Sequence, residues 1–247
     1  MTFDSTVLYV LAVLAVAGVV KGVIGMGLPA ISMGLLAVVM PPGTAANILL
    51  PSLILTNVWQ MLAGPHFLQL LHRLRFFLLF VVVGTLAGTG WIAGEIGRIG
   101  AGVLGATLAL YGVLSLMDFK ITVAPAREGW VGAVLGLIAG LINALTAVFS
   151  IPAVPFLRAI GLEKDELVQA LGIAFTVAAV ALGVNLGLAS ALDPAQGPVS
   201  LAGLGAASAG MVIGQRIRAK LDPETFRRWF FIGLTALGLY LAKRGLF

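Results

Sequence analysis

The chain has 247 residues, 60% of them hydrophobic and only 10% charged, with a mean hydropathy of +1.09. Soluble chains carry about a quarter charged residues, so this composition excludes a water-soluble fold and indicates an all-α polytopic membrane protein. Cysteine is absent, which excludes disulfides, thiolate metal sites and thiol redox chemistry. The net charge of +5 lies in connections between apolar blocks and forms no aromatic-interleaved patch, so it reads as topology and not as nucleic-acid binding.

The chain opens on a nearly uninterrupted apolar block from Thr6 to Met40. A single membrane helix needs about 20 residues, so this block is too long for one span and too short for two. Only Asp4 and no basic residue precedes it, which reads as retained membrane sequence and not as a secretory leader. Its middle carries Lys21, three glycines at 22, 25 and 27, and Pro29, which predicts a break in the helix. Pro41-Pro42-Gly43 then marks a turn. Further spans are expected at about 45–62, 76–94 and 99–117, with a short interfacial helix within His66 to Arg75 and with Glu95 and Arg98 between the last two spans.

Asp118 to Glu128 is polar and reads as a linker, dividing the chain into membrane repeats at 1–122 and 123–247. The second half begins with another long apolar block, Gly129 to Leu157, whose centre holds Gly140, Asn143, Thr146, Ser150 and Pro152. Spans at about 167–192, 201–213 and 229–241 follow. Lys21 to Gly25 aligns with Ala139 to Asn143, and Ser32 with Ser150, at a constant offset; Thr56 with Thr176 and Gly88 with Gly210 align after small insertions. Each repeat is thus expected to be a helix-breaking block followed by three spans.

The charges discriminate between two ways of threading these blocks. If each long block is one span, Lys and Arg divide six against eight between the faces. If each doubles back as a hairpin, one face holds Arg73, Arg75, Lys120, Arg127, Arg158, Lys164, Arg216, Arg218, Lys220, Arg227 and Arg228, against Arg98, Lys243 and Arg244. Eleven against three is the positive-inside pattern, and it makes the repeats inverted, with hairpin arms of about 15 residues each and tips within the membrane.

The run from Lys21 to Gln60, KGVIGMGLPAISMGLLAVVMPPGTAANILLPSLILTNVWQ, resembles the first-repeat signature of the sulfite exporter TauE/SafE family of membrane transporters. Gly84 and Gly88, then Gly205 and Gly210, also fit it, and the resemblance covers nearly the whole chain. The glycine run departs from the family's pattern, as Gly25-Met26-Gly27 and, in the second half, Asn143-Ala144-Leu145. The resemblance implies eight spans in two halves of four. It also implies outward transport of sulfite, sulfoacetate or related sulfonates and carboxylates; a bacterial inner membrane is the expected location, and no His-Glu-x-x-His, Ser-Lys or paired-aspartate constellation is present, so neither catalysis nor a cofactor is expected.

Candidate substrate-binding residues follow from chemistry at membrane depth. Lys21 is a compact cation beside flexible glycines, although its stem could instead snorkel to an interface. Gly25, Gly27 and Pro29 predict a helix starting near Leu28 whose free N–H groups face the break. Asn143 and Thr146 mirror them, with Thr146 as the cap of the second inner helix. Ser32, Asn57, Gln60, Ser150 and Thr176 are further polar groups able to donate to an anion or to bond a neighbouring helix. Asn47 and Gln169 belong to the same class. His66 and His72 lack partners at ligand spacing, so no metal is expected.

All ten acidic residues fall in termini or connections, which leaves no carboxylate proton relay within a span. An anion channel using the same site is the first alternative to a carrier, and a membrane assembly factor without transport the second. The lipid bilayer and a small anion are the expected partners, nucleic acid is not, and homo-oligomerisation is left open.

Overall fold

The computed structural model describes residues 5–94, 96–117, 122–218 and 222–246. Glu95, Asp118, Lys120 and Lys220, used in the reading of connections and charge, lie outside the described residues, as does the side chain of Arg98. The chain is an all-α polytopic membrane protein. Its helices are α1 (Ser5–Ile24), α2 (Leu28–Leu36), α3 (Pro42–Leu62), α4 (Phe67–Arg73), α5 (Arg75–Ala87) and α6 (Ile96–Leu116) in the first half. The second half contains α7 (Glu128–Thr146), α8 (Ser150–Ala159), α9 (Lys164–Leu188), α10 (Gly197–Arg218) and α11 (Pro223–Leu246). Five helical segments are long and apolar enough to cross a membrane, and a sixth if α4 and α5, bent by 68° at Leu74, count as one span.

Both long blocks double back. The Tyr9 hydroxyl near the start of α1 donates to the Leu35 carbonyl at the end of α2, 2.9 Å away, so α2 returns along α1. In the second half the Val123 N–H, just before α7, donates to the Ala159 carbonyl at the end of α8 at 2.8 Å. Arg73 holds the feet of that second hairpin together, pairing with Glu128 of α7 at 2.7 Å and donating to the Ile160 carbonyl beyond α8 at 2.7 Å. The arms are unequal, 20 and 9 residues in the first hairpin and 19 and 10 in the second, where equal arms of about 15 were expected.

The breaks also fall later than the sequence suggests, at 25–27 and 147–149. Lys21 and Gly22 stay helical, and so do Gly140 and Asn143, because each sits in a close helix contact that a break would destroy. Glycines allow those contacts. A Cβ on Gly18 would lie 2.2 Å from the Ala207 carbonyl oxygen and one on Gly22 would lie 2.3 Å from that of Met211, so α1 runs parallel to α10 at backbone contact. Likewise a Cβ on Gly136 would meet the Phe77 oxygen at 2.4 Å and one on Gly140 the Val81 oxygen at 2.3 Å, so α7 runs parallel to α5. Lipid is as apolar as these side chains, so helix association here rests on close van der Waals packing and not on hydrophobic burial.

The remaining long helices pair antiparallel. Gly172 of α9 abuts Gln60 and Met61 of α3 while Gly183 abuts Leu50; Gly105 of α6 abuts Ala242 of α11 while Gly112 abuts Thr235. Directions propagated through these pairs put the start of α1 and the end of α11 on one face, here the terminal face. Arg244 in the last turn of α11 accordingly donates to the Val38 carbonyl at the foot of the first hairpin, at 2.7 Å. The opposite face carries Arg73, Arg75, Arg127, Arg158, Lys164, Arg216, Arg218, Arg227 and Arg228, against Lys243 and Arg244 on the terminal face.

Backbone contact at Gly140 leaves no room for a side chain. Gly140→Val is expected to force α7 from α5 and cost about 1 to 3 kcal/mol, the range for overpacking. Gly205→Ala, where a Cβ meets nothing within 4 Å, should not lower melting and is expected to raise it slightly, since alanine favours the helix interior over glycine. Melting curves of both variants in detergent, read by size-exclusion fluorescence, would show whether the two separate.

Candidate functional site

The first break is built by backbone conformation. Gly27 takes φ 99° as the N-cap of α2, a left-handed value that favours glycine, and Gly25 has φ 79°. Pro29 stands in the first turn of α2, where its missing N–H costs nothing. The second break turns at Ala147, φ 54°, which is the C-cap of α7. Thr146 does not cap the inner helix α8. It is the last residue of α7, bonding back to the Ile142 carbonyl at 2.7 Å and accepting the Val148 N–H at 3.1 Å, so its hydroxyl is spent on closing the turn. Phe149 takes the N-cap position without a side-chain bond, and Ile151 is extended within α8.

The two breaks enter from opposite faces and approach one small space. Pro29, Leu53 and Asn57 line it from the first half, and Asn143, Ala147, Phe149, Phe175, Ala178, Ala179 and Leu182 line it from the second. Its volume is about 10 Å³, room for roughly one water molecule.

Lys21 does not snorkel. It is 5% exposed, and its ammonium donates to Thr56 Oγ1 at 3.1 Å and to Asn57 Oδ1 through a short bond. Among the described residues it has no carboxylate partner. Asn57 therefore couples the buried cation to the cavity wall. Thr56 passes the link on, donating to the Ser52 carbonyl one turn back at 2.6 Å.

Across the cavity, Asn143 donates to the Ala178 carbonyl at 3.0 Å and to Thr85 Oγ1 at 3.3 Å, tying α7 to α9 and α5. Asn185 completes this cluster by donating to the Thr85 carbonyl. Thr85 and Asn185 were missed in the sequence, although each is a lone polar residue in an apolar span, the same signal that singled out Asn57.

Other expected site residues lie elsewhere. Gln60 shares a helix face with Asn57 but reaches across to the Val168 carbonyl at 2.9 Å. Gln169 answers it with bonds to the Met61 and Gly64 carbonyls at 2.9 and 2.6 Å, and its own oxygen accepts the His66 N–H. The pair is a reciprocal clasp joining α3 to α9 near the basic face. Thr176 bonds the Gly172 carbonyl and lines an apolar groove of about 250 Å³ with Val82, Leu86, Val180 and Val184. Ser32 and Ser150 are fully buried and do not line the cavity; among the described residues the Ser32 hydroxyl has no hydrogen-bond partner, and Ser150 lies beside the Tyr111 hydroxyl. Gly25 borders open space, with no atom within 4 Å of a Cβ built there. No group of acidic, histidine or cysteine residues suited to a metal occurs among the described residues.

On the terminal face an open cleft of about 900 Å³ lies between the foot of the first hairpin (37–41), the start of α3 and the ends of α9 and α11, with Asn47, Asp193 and Arg244 on its walls. A family model described as Sulfite exporter TauE/SafE matches residues 10–241, taking in both breaks and the cavity between them. The chain belongs to the sulfite exporter TauE/SafE family. No curated protein and no solved structure matches it. Membership of the TauE/SafE family makes it a multi-pass membrane transport protein.

The bond between Lys21 and Asn57 sets a stability order. Asn57→Leu strands a buried ammonium and is expected to cost about 2 kcal/mol or more. Removing both partners in Lys21→Met/Asn57→Leu takes away the stranded charge, so the double variant should melt above the Asn57→Leu single. Melting at or below the single would mean that Asn57 does not hold the ammonium.

Proposed function

We propose that this TauE/SafE family member is a secondary transporter of small organosulfur or oxyanions such as sulfite, sulfoacetate or related sulfonates and carboxylates, exporting them from a bacterial cytoplasm by alternating access. The observation that carries the reading is the convergence of two helix breaks on one cavity beside Lys21, a buried cation without a carboxylate partner among the described residues. A single positive charge balances one negative charge brought in by the substrate. The N-terminus of α2 adds backbone N–H groups at the same place, because the first residues of a helix have no intrahelical acceptor. Lys21, Gly25, Gly27, Pro29, Asn57 and Asn143 form the proposed site. Ser32 and Ser150 belong to the inner helices that would move with it. Gln60, Thr146 and Thr176 are assigned to helix packing and turn closure.

The halves, 1–122 and 123–247, are proposed to be inverted repeats. Contacts support this register: Gly18 and Gly22 meet α10 as Gly136 and Gly140, each 118 residues later, meet α5. In that register Gly84 is matched with Gly214, since each abuts the glycine of the partner hairpin. A two-fold relation of this kind lets the same cavity open to either face by rocking one arrangement into the other. The open cleft on the terminal face, against the Gln60–Gln169 clasp near the basic face, supports a state held together at the basic face. A central space of only about 10 Å³ favours a carrier over a channel.

The basic face is assigned to the cytoplasm by the positive-inside rule. A membrane potential negative inside then favours loss of a monovalent anion by about 2.3 kcal/mol per 100 mV, so export needs no buried proton relay.

Two measurements test this reading. In proteoliposomes, counterflow of labelled sulfite or a sulfonate should saturate and be accelerated by unlabelled substrate on the far side, and Lys21→Met should abolish it in protein that still elutes as a folded species. Non-saturating flux that counter-substrate does not accelerate would mean a channel, and undiminished transport by Lys21→Met would remove the lysine from the site. Because the chain has no cysteine, single-cysteine variants give a clean topology assay. Lys243→Cys should react with an impermeant maleimide added outside cells and Ala126→Cys only after lysis; the reverse pattern would overturn the orientation.

A further inference from the structure

The two asparagines that face each other across the cavity have amide orientations fixed by their other partners. Asn57 turns its oxygen to the Lys21 ammonium, which can only donate, so its Nδ2 group points the other way. Asn143 turns its nitrogen to the Ala178 carbonyl, which can only accept, so its Oδ1 is the atom left over. Among the described residues neither leftover atom has a protein partner, and neither is among the fully enclosed unpaired atoms, which include the Ser32 and Ser52 hydroxyls and Asn185 Oδ1. Both residues line the same cavity. The cavity therefore offers one N–H donor from the first half and one carbonyl acceptor from the second.

An oxygen between such groups must accept on one side and donate on the other. Water does both, and a space of about 10 Å³ suits one. The deprotonated oxygen of an anion accepts only, and would face Asn143 Oδ1 as one acceptor against another. A hydroxyl oxygen reproduces both bonds of the water it displaces, whereas a methyl group reproduces neither.

We infer that Asn57 and Asn143 form a hydroxyl-reading pair, which makes Asn143 a specificity-determining residue and narrows the substrate to small monoanions that carry a hydroxyl beside the charged group. Hydrogensulfite and hydroxyalkanesulfonates belong to this class, and fully deprotonated or alkyl-capped oxyanions do not. The inference rests on the proposed anion-transport reading, with Lys21 matching the charge and the asparagine pair matching the hydroxyl. A site built to bond a hydroxyl rejects the analogue lacking it, because the site's own polar groups are then left unpaired.

Hydroxymethanesulfonate and methanesulfonate carry the same charge and differ by that one hydroxyl. In proteoliposomes bearing the full chain, each is titrated as the counter-substrate that accelerates sulfite efflux. The expected result is a preference of about tenfold or more for hydroxymethanesulfonate in half-saturating concentration. Asn143→Met should cut the preference to less than about threefold, chiefly by weakening the hydroxylated substrate. Equal stimulation by the two anions in the wild-type protein overturns the inference while leaving anion transport standing, and marks the cavity as a structural water site. A preference that survives Asn143→Met overturns the role of Asn143. Failure of every anion, sulfite included, to drive flux overturns the transport reading itself. The wild-type comparison needs no variant to fold.

Discussion

Unwound backbone has no solvent partner in a lipid phase, so a chain that interrupts its helices at membrane depth must surround the interruption with protein. Here that constraint shapes the architecture. Both breaks lie at the centre, with α3 and α9 crossing beside them and α1, α5, α7 and α10 packed at glycine contacts outside. Large apolar side chains such as Trp59, Leu79, Trp130, Leu188 and Leu201 face outward. Most of the buried polar residues described are hydrogen-bonded. Binding capacity in such a molecule comes from the same backbone groups that the surrounding helices protect.

The central cation illustrates how this works without a counter-charge. Lys21 is held by one hydroxyl and one amide oxygen, neutral groups that lower the cost of burial without cancelling the charge. A carboxylate in their place would satisfy the ammonium and remove its attraction for an incoming anion. On the far wall, Asn143, Thr85 and Asn185 join three helices through neutral bonds, so the second half contributes shape and hydrogen-bond polarity while the first contributes charge.

Much of this was legible in the sequence because membrane insertion writes strong rules into composition. The run from Thr6 to Met40 was the wrong length for spans, and the eleven-to-three charge division pointed to hairpins, whose return the Tyr9–Leu35 bond displays. What was not legible was where local signals end. Gly140 and Asn143 look like helix breakers in isolation, yet α7 runs through them because Gly140 abuts the Val81 carbonyl and Asn143 finds acceptors on two other helices. Thr146 has the chemistry of a helix cap and is used to close a turn instead. Gln60 and Asn57 share a helix face, but only tertiary structure shows that one bonds α9 and the other the buried lysine. Pattern reports which residues are special, while the partner each one serves is a property of the assembled fold.

The way the helices pair also bears on how the protein is made. Each of the four principal helix pairs, α1 with α10, α3 with α9, α5 with α7 and α6 with α11, joins one half of the chain to the other. When the first half leaves the ribosome, the glycine-lined face of α1 and the amide of Gln60 have nothing to bind, since α9 and α10 do not yet exist. Lipid must cover those surfaces in the interval. The principal packing of the first half is therefore complete only once the second half is in place. A chain cut between its halves would leave two pieces, each displaying the surface that the other fills in the folded protein.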